Sequence, residues 1–352
     1  MTATWDQEGF RAGVQDALDR FLDEQAERLR PLGADAARLL DEARTSVAGG
    51  KMFRASFCWW GHLAVAAPAD RDALVRACAS LELLHASALV HDDYMDASDS
   101  RRGRPSTHRT FEREHRAAGW RGDPEQYGAS GAILLGDLLL SWSDELLRRC
   151  GLPVVAPALD VFDLCRTEVI AGQFLDVSAQ ARGRADVDTA MTVLRYKSAK
   201  YSIERPLHLG AALAGAPAST LAELTAFGLP LGEAFQLRDD LLGVYGDPAT
   251  TGKPAGDDLV EGKRTVLVAL AIDGAAPEDA ALLDRSLGTA LSTEDVQRLR
   301  AVIDASGAHA QVEEVIDQLT AKAVAALDRA SIDEGAREVL RGLAAAVTQR
   351  AV

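Results

Sequence analysis

Carboxylates at helical spacing are the first candidates for chemistry in this chain. In His91-Asp92-Asp93-Tyr94-Met95-Asp96, Asp92 and Asp96 stand four residues apart. On a helix both project from one face, where like charges repel unless a cation compensates them. Paired hard oxygen ligands suit Mg²⁺, which takes one or two carboxylates and completes its shell with waters and phosphate oxygens. The plainer alternative is a solvated acidic helix end. A second cluster runs Phe235-Gln236-Leu237-Arg238-Asp239-Asp240-Leu241-Leu242-Gly243, with Asp247 beyond it. Each cluster ends an apolar stretch and is followed by cations. Arg101, Arg102 and Arg104 follow the first; Lys253, Lys263 and Arg264, interspersed with Asp257 and Asp258, follow the second. Arginine adds bidentate phosphate recognition to its charge. Two such ends meeting across a bundle would form a mixed-charge mouth above an apolar interior, suited to a ligand with a diphosphate head and a hydrocarbon tail. Two more basic groups are Gly49-Gly50-Lys51 with Arg54, where glycines admit an anion close to the backbone, and Lys197 with Lys200 beside Tyr196 and Ser198. A simple loop and a solvated helix face are the plain readings of these two.

The elements that must carry these groups are helices. Apolar residues recur at helical spacing at Val14, Leu18, Phe21 and Leu22, and again at Leu74, Cys78, Leu81, Leu84 and Ala88, predicting helices over 10–29 and 72–90. Residues 132–147 are apolar nearly all round at first, as in a central bundle helix. Ser292 with Asp295 predicts a capping box, and Gly307 a helix stop. Aromatics are only 5% of the chain and no alternating run persists, so strands are not expected. Gly, Pro and charge predict loops over 97–106, 119–131 and 246–262. The reading is one all-α domain over residues 1–352, a helical bundle around a central apolar cavity.

Composition limits the partners. A net charge of −15 lacks the basic footprint that nucleic acid requires. Cys58, Cys78, Cys150 and Cys165 form no CxxC pair, so zinc is not expected and the thiols read as buried apolar groups in a reducing compartment. Residues 1–10 lack a signal-peptide apolar core, and 129–140, the most apolar run, is interrupted by Asp137. No transmembrane segment and a cytoplasmic location are therefore expected.

Taken in order over residues 49–265, these motifs resemble the trans-isoprenyl diphosphate synthases, or polyprenyl synthetases, and within them geranylgeranyl diphosphate synthases. Gly49-Gly50-Lys51-x-x-Arg54 is similar to the family's GGKxxRP, with Ala55 in place of Pro. His85, Asp92-Asp93-x-x-Asp96, Arg101-Arg102-Gly103 and Pro105 resemble its first aspartate-rich region. Gly172-Gln173 and Asp176 resemble GQxxD, and Lys197-Ser198 its KT pair. Phe235-Gln236-x-x-Asp239-Asp240, then Lys253, Asp257, Asp258 and Lys263, resemble its second aspartate-rich region. The resemblance implies the all-α isoprenoid synthase bundle, usually a homodimer, acting as a prenyltransferase on isopentenyl diphosphate and an allylic diphosphate. It implies Mg²⁺, three ions per loaded site, with Asp92, Asp96 and Asp239 as ligands and Asp93 and Asp240 beside them. Arg101, Lys197 and Lys253 would hold the allylic diphosphate, with Ser198, Gln236 and Lys263 nearby. Lys51, Arg54, His85 and Arg102 would hold isopentenyl diphosphate.

The fifth position of the second cluster, often Asp in the family, is Gly243. Either Asp240, Asp247 or Asp257 supplies that outer carboxylate through water, or a metal site is weakened. Family members that stop elongation early carry bulky aromatics just before the first motif. Here Ser87 and Ala88 are small and Leu84 lies a turn deeper, so a C20 product is expected, with C25 or longer as the alternative, and Ser87→Phe is expected to shorten it. A class I terpene cyclase shares the fold and DDxxD, but its second metal motif usually begins with Asn, and the chain contains no Asn. A non-catalytic subunit of a heteromeric synthase would typically have lost one aspartate cluster, and both persist.

Overall fold

The computed structural model describes residues 5–183, 186–246 and 256–349. The periodic stretches form helices: α1 (Gln7–Leu29), α2 (Ala34–Val47), α3 (Phe53–Leu63), α4 (Arg71–Met95), α5 (Thr107–Ala118), α6 (Pro124–Arg148), α7 (Ala156–Arg182), α8 (Val187–Val193), α9 (Arg205–Leu213), α10 (Ala218–Tyr245), α11 (Asp257–Glu261), α12 (Val266–Gly274), α13 (Pro277–Ser286), α14 (Thr293–Ala305), α15 (Ala308–Arg329) and α16 (Glu334–Thr348). A π-helical segment, Leu194–Glu204, joins α8 to α9. The fold is all-α, as expected.

The chain divides into two compact units, Met1–Leu159 with Leu209–Gly215, and Asp160–His208 with Ala216–Val352. In the first, α4 packs against α6, α1 and α3, and α5 against α6. Phe57, Leu74, Leu81, Leu83, Leu135 and Leu139 are almost wholly buried there. Although α4 is long and apolar enough to cross a membrane, 78% of its most apolar window is buried, which fits a core helix. In the second unit α10 packs against α15 and the π-helical segment, and α15 against α12 and α16. Leu237, Leu241, Leu267, Ile303, Val312 and Ile316 form its core. All four cysteines are buried and unbridged.

Local signals account for many helix ends. Asp6, Asp70, Asp186 and Asp333 each cap a helix N-terminus with a side-chain oxygen, and Ser292 with Asp295 closes the expected capping box. Gly307, at φ 81°, separates α14 from α15.

The loop expectations are corrected in part. Residues 119–131 become helix from Pro124, because Asp123 caps the turn and proline is favoured in a first turn. Gly128 and Gly131 do not mark a turn. They let α6 approach α5 closely, since a Cβ on either would overlap the His108 carbonyl or the Phe111 ring. Residues 97–106 contain a short antiparallel hairpin, Ser100–Arg101 with Arg104–Pro105. It is too short to leave an alternating pattern. The 246–262 stretch holds α11, and residues 247–255 lie outside the described residues.

Candidate active site

In the first unit, α4 continues through His91 to Met95, so Asp92 lies in its last turn. Asp96 caps the end, its N–H donating to the Asp92 carbonyl at 2.8 Å. Asp93 is 4% exposed and turns inward, where its Oδ1 accepts from Nε of Arg101 at 2.8 Å and from a terminal nitrogen of the same guanidinium. The Arg101 guanidinium also lies 3.9 Å from Asp92 Oδ2. The hairpin makes this possible. Its two turn residues, Arg102 and Gly103, have φ of 52° and 73°, the left-handed pair that a tight two-residue hairpin turn requires. The turn folds Arg101 back over the helix end.

The glycine-rich loop meets the same hairpin. Arg102 Nη1 donates to the Ala48 carbonyl at 3.1 Å, and the Gly49 N–H donates to Gln15 Oε1 at 3.3 Å. Met52 and Arg102 are non-glycine residues held at positive φ, a conformation that costs energy and collects at ligand-binding sites. His85 lies in the same electrostatic neighbourhood. Burial, then the charges of Arg54, Arg102 and Arg101, hold its pKa well below the ordinary histidine range, with Asp92 opposing them. It is therefore neutral at pH 7. Three guanidiniums act on one uncharged imidazole, an environment that favours an anion over any further cation.

Sequence reasoning missed Glu82. Its carboxyl pKa is raised by burial, opposed by Arg54, by a hydrogen bond from Ala55 and by Arg102. Its charge is therefore felt together with those of Arg54 and Arg102. A lone Glu in the apolar run Leu81-Glu82-Leu83-Leu84 was the available signal, since buried charges need partners. The bond uses the backbone N–H of Ala55, which stands where the family pattern has Pro. Its N–H donates to Glu82 Oε1 at 3.2 Å, and proline has no N–H to give. Ala55→Pro, at the third position of α3, is expected to cost about 1–3 kcal/mol, seen as a lower Tm in calorimetry. An unchanged Tm would mean that the bond contributes nothing.

The three residues assigned to chain length separate. Leu84 is buried, and Ser87 donates to the Gly136 carbonyl of α6 at 2.7 Å. Ser87 thus faces α6. Ala88 is half-buried and shares the helical face of His85 and Asp92.

In the second unit, Lys197 is carried by the π-helical segment, and its Nζ lies 2.5 Å from Asp176 Oδ2 of α7. Ser198 beside it is half-buried. Lys200 is committed elsewhere, pairing with Glu168 at 3.0 Å and Glu204 at 3.4 Å, while Arg205 also pairs with Glu168. The second aspartate cluster lies in the last turns of α10. Gln236 donates to Asp240 Oδ1 at 2.8 Å, and the Asp240 carboxyl is pushed up to about 8, first by burial and then by the charges of Asp258 and Asp239. Asp239 is half-buried. Arg238 is structural: it makes two 2.6 Å bonds to Glu313 and one of 3.0 Å to the Thr348 carbonyl. Lys263 Nζ lies 2.6 Å from Glu261 and 3.4 Å from Asp258. Lys253 and Asp247 lie outside the described residues.

The donor sets fit Mg²⁺. They are carboxylate oxygens on helix ends, without the thiolates or imidazole pairs that softer metals select. Around Asp240 a cation would supply the positive charge that the buried carboxylates require.

Comparison with known proteins agrees with this chemistry. The model of the polyprenyl synthetase family matches residues 37–305. A geranylgeranyl diphosphate synthase of Mycobacterium tuberculosis is 32% identical over 323 residues, covering 90% of this chain and 86% of that protein. A (2E,6E)-farnesyl diphosphate synthase of Mycobacterium bovis is 34% identical over 248 residues, covering 69% and 64%. The crystal structure of geranylgeranyl pyrophosphate synthase from Corynebacterium glutamicum, complexed with isoprenyl diphosphate and magnesium, has a TM-score of 0.96 and 42% identity, covering 99% of this chain and 100% of that one.

Proposed function

Since the chain belongs to the polyprenyl synthetase family and is a prenyltransferase, we propose that it joins isopentenyl diphosphate to an allylic diphosphate to make all-trans geranylgeranyl diphosphate, a C20 product. The observation that carries this reading is Arg101, held by Asp93 at the end of α4 and 3.9 Å from Asp92, with the charges of Arg54 and Arg102 also acting on His85. Such a group binds a polyanion without a protein nucleophile.

Lys51, Arg54, His85 and Arg102 hold isopentenyl diphosphate, the imidazole donating a hydrogen bond without adding charge. Arg101, aimed by Asp93, and Lys197, aimed by Asp176, hold the allylic diphosphate, with Ser198, Gln236, Lys253 and Lys263 near it. Asp92, Asp96 and Asp239 would hold Mg²⁺, three ions per loaded site. When bound, Mg²⁺ neutralises charge building on the departing diphosphate. Arg101 and Lys197 do the same with fixed charges that need no reorganisation during the reaction. Apolar side chains around the allylic tail exclude water from the cation that forms. The double bond of isopentenyl diphosphate attacks that cation, and the released diphosphate takes the final proton.

Incubation with isopentenyl diphosphate, Mg²⁺ and dimethylallyl, geranyl or farnesyl diphosphate, with products sized by chromatography, tests this directly. Elongation ending at C20 is expected. No elongation from any primer by folded protein would overturn the proposal, and cyclic hydrocarbons would favour a cyclase.

Chain length is the finer part of the proposal, and it rests on Ala88. Ala88→Phe is expected to move the main product from C20 to C15 without a large loss of turnover. An unmoved distribution would show that this face does not bound the tail. Ser87→Phe would instead force an aromatic ring between α4 and α6, costing about 1–3 kcal/mol of stability.

We also assign a cytoplasmic homodimer. Leu164, Ile170, Phe174 and Leu175 on α7 are exposed, Phe174 by 71%, an apolar patch of the kind that subunit contacts cover. Light scattering is expected to give twice the 37.5 kDa chain mass. A monomer at micromolar concentration would refute the assignment.

A further inference from the structure

Gly243 occupies the fifth position of the second aspartate cluster, yet the space above it is filled. A Cβ built on Gly243 would overlap Oδ2 and Cγ of Asp258 and approach its Oδ1 within 2.9 Å. Asp258 reaches this place from α11, a single turn set between Gly256 and Gly262, whose φ values are 78° and 76°. The turn is pinned. Leu259, the next residue, is fully buried in the second unit's core, and its carbonyl accepts the Gly288 N–H at 3.0 Å. The Asp258 side chain is 12% exposed, with Lys263 Nζ 3.4 Å from its Oδ1. Asp257 opens the turn, but it is Asp258 that meets the glycine.

We propose that Asp258 supplies the carboxylate missing from position 243, and that Gly243 is the vacancy that admits it. In this arrangement Asp258 orders water around the Mg²⁺ ion held by Asp239. The proposal rests on the Mg²⁺-dependent reading above and adds to it a residue and a required glycine. A side chain at 243 would meet the Asp258 carboxyl in its present position, so Asp258 would have to swing away to make room for it. Gly243→Asp therefore does not repair a defective motif. It displaces a carboxylate already in place.

The test is a reciprocal exchange. Mg²⁺ binding is measured by titration calorimetry in the presence of inorganic diphosphate, together with the half-saturating Mg²⁺ for turnover. Asp258→Asn, which keeps the shape, is expected to weaken Mg²⁺ binding by about 10–100-fold, the scale on which partners behind metal ligands act. Gly243→Asp alone is expected to weaken it similarly. Gly243→Asp combined with Asp258→Gly is expected to return it to within a few-fold of the native chain, because residues sharing one space do not act additively. Native-like Mg²⁺ affinity in Asp258→Asn, or losses that simply multiply in the double variant, would overturn the proposal. Failure of the native chain to bind Mg²⁺ with diphosphate, or to elongate any primer, would sink the reading on which it rests. That result is distinct from a native chain that binds Mg²⁺ and variants that do not differ from it.

Discussion

Asp92→Asn is expected to lower kcat/KM by about 10²–10³-fold, roughly 3–4 kcal/mol of transition-state stabilisation. The substitution keeps shape and removes charge. Asp92 lies in the last turn of α4 with its side chain 18% exposed, so neither packing nor helix formation should change and Tm should stay near the native value. The loss falls on the reaction because a neutral amide is a poorer Mg²⁺ ligand than a carboxylate. It also leaves the positive charge of Arg101, 3.9 Å away, less balanced. Raising Mg²⁺ should recover part of the rate, separating a ligand from a structural residue. Asp93→Asn provides the contrast. Asp93 is buried under Arg101 and aims it, so the expected loss is about 10–100-fold, is seen mainly in the KM for the allylic substrate, and does not respond to Mg²⁺. Asp92→Asn with activity within tenfold of native, or with a loss insensitive to Mg²⁺, would remove Asp92 from the ligand set.

Features with a local cause were legible in the sequence. The stripe through Leu74, Cys78, Leu81 and Leu84 is buried in α4, though Ala77, Ala79, Ser80 and Leu83 off that stripe are buried too; the Ser292–Asp295 box is a cap, because helical spacing and capping act within one or two turns. The acidic pair at the end of α4 and the arginines of the next loop were legible for the same reason. What was misread depends on contacts far along the chain. Gly128 and Gly131 resemble turn residues in isolation, but α5 decides their role. Glu82 resembles a stray charge until Arg54, Ala55 and Arg102 are brought beside it. Gly243 resembles an open position until the Asp258 carboxyl is brought beside it. Ser87 and Ala88 are neighbours in sequence and equally small. Only the packing of α6 shows that the Ser87 hydroxyl goes to the Gly136 carbonyl. The π-helical segment left no signature in the sequence, and helices press closely on it at Gly172 and Gly232.

That close packing underlies the second large effect, Gly172→Ala. A Cβ on Gly172 of α7 would overlap the Lys197 backbone nitrogen and come within 2.6 Å of the Tyr196 carbonyl carbon and 2.8 Å of Lys197 Cα. These are backbone atoms, so no side-chain rotation relieves the contact. The segment cannot retreat either, because α10 is equally close on another side. There a Cβ on Gly232 would come within 2.5 Å of the Ala199 carbonyl oxygen. One methyl at 172 must therefore move the π-helical turn and the Lys197 ammonium with it, away from Asp176. Overpacking of this kind costs about 1–3 kcal/mol, and a displacement near 1 Å at a positioning group costs on the order of 10²-fold in rate. Gly172→Ala is thus expected to lower Tm modestly and kcat/KM by about 10²-fold. If the rate loss arises through Lys197, combining Gly172→Ala with Lys197→Ala should cost little more than Lys197→Ala alone. Multiplying losses in the double variant would show that Gly172 acts on something else. Native activity and native Tm in Gly172→Ala would show that this close contact does not hold the segment in place.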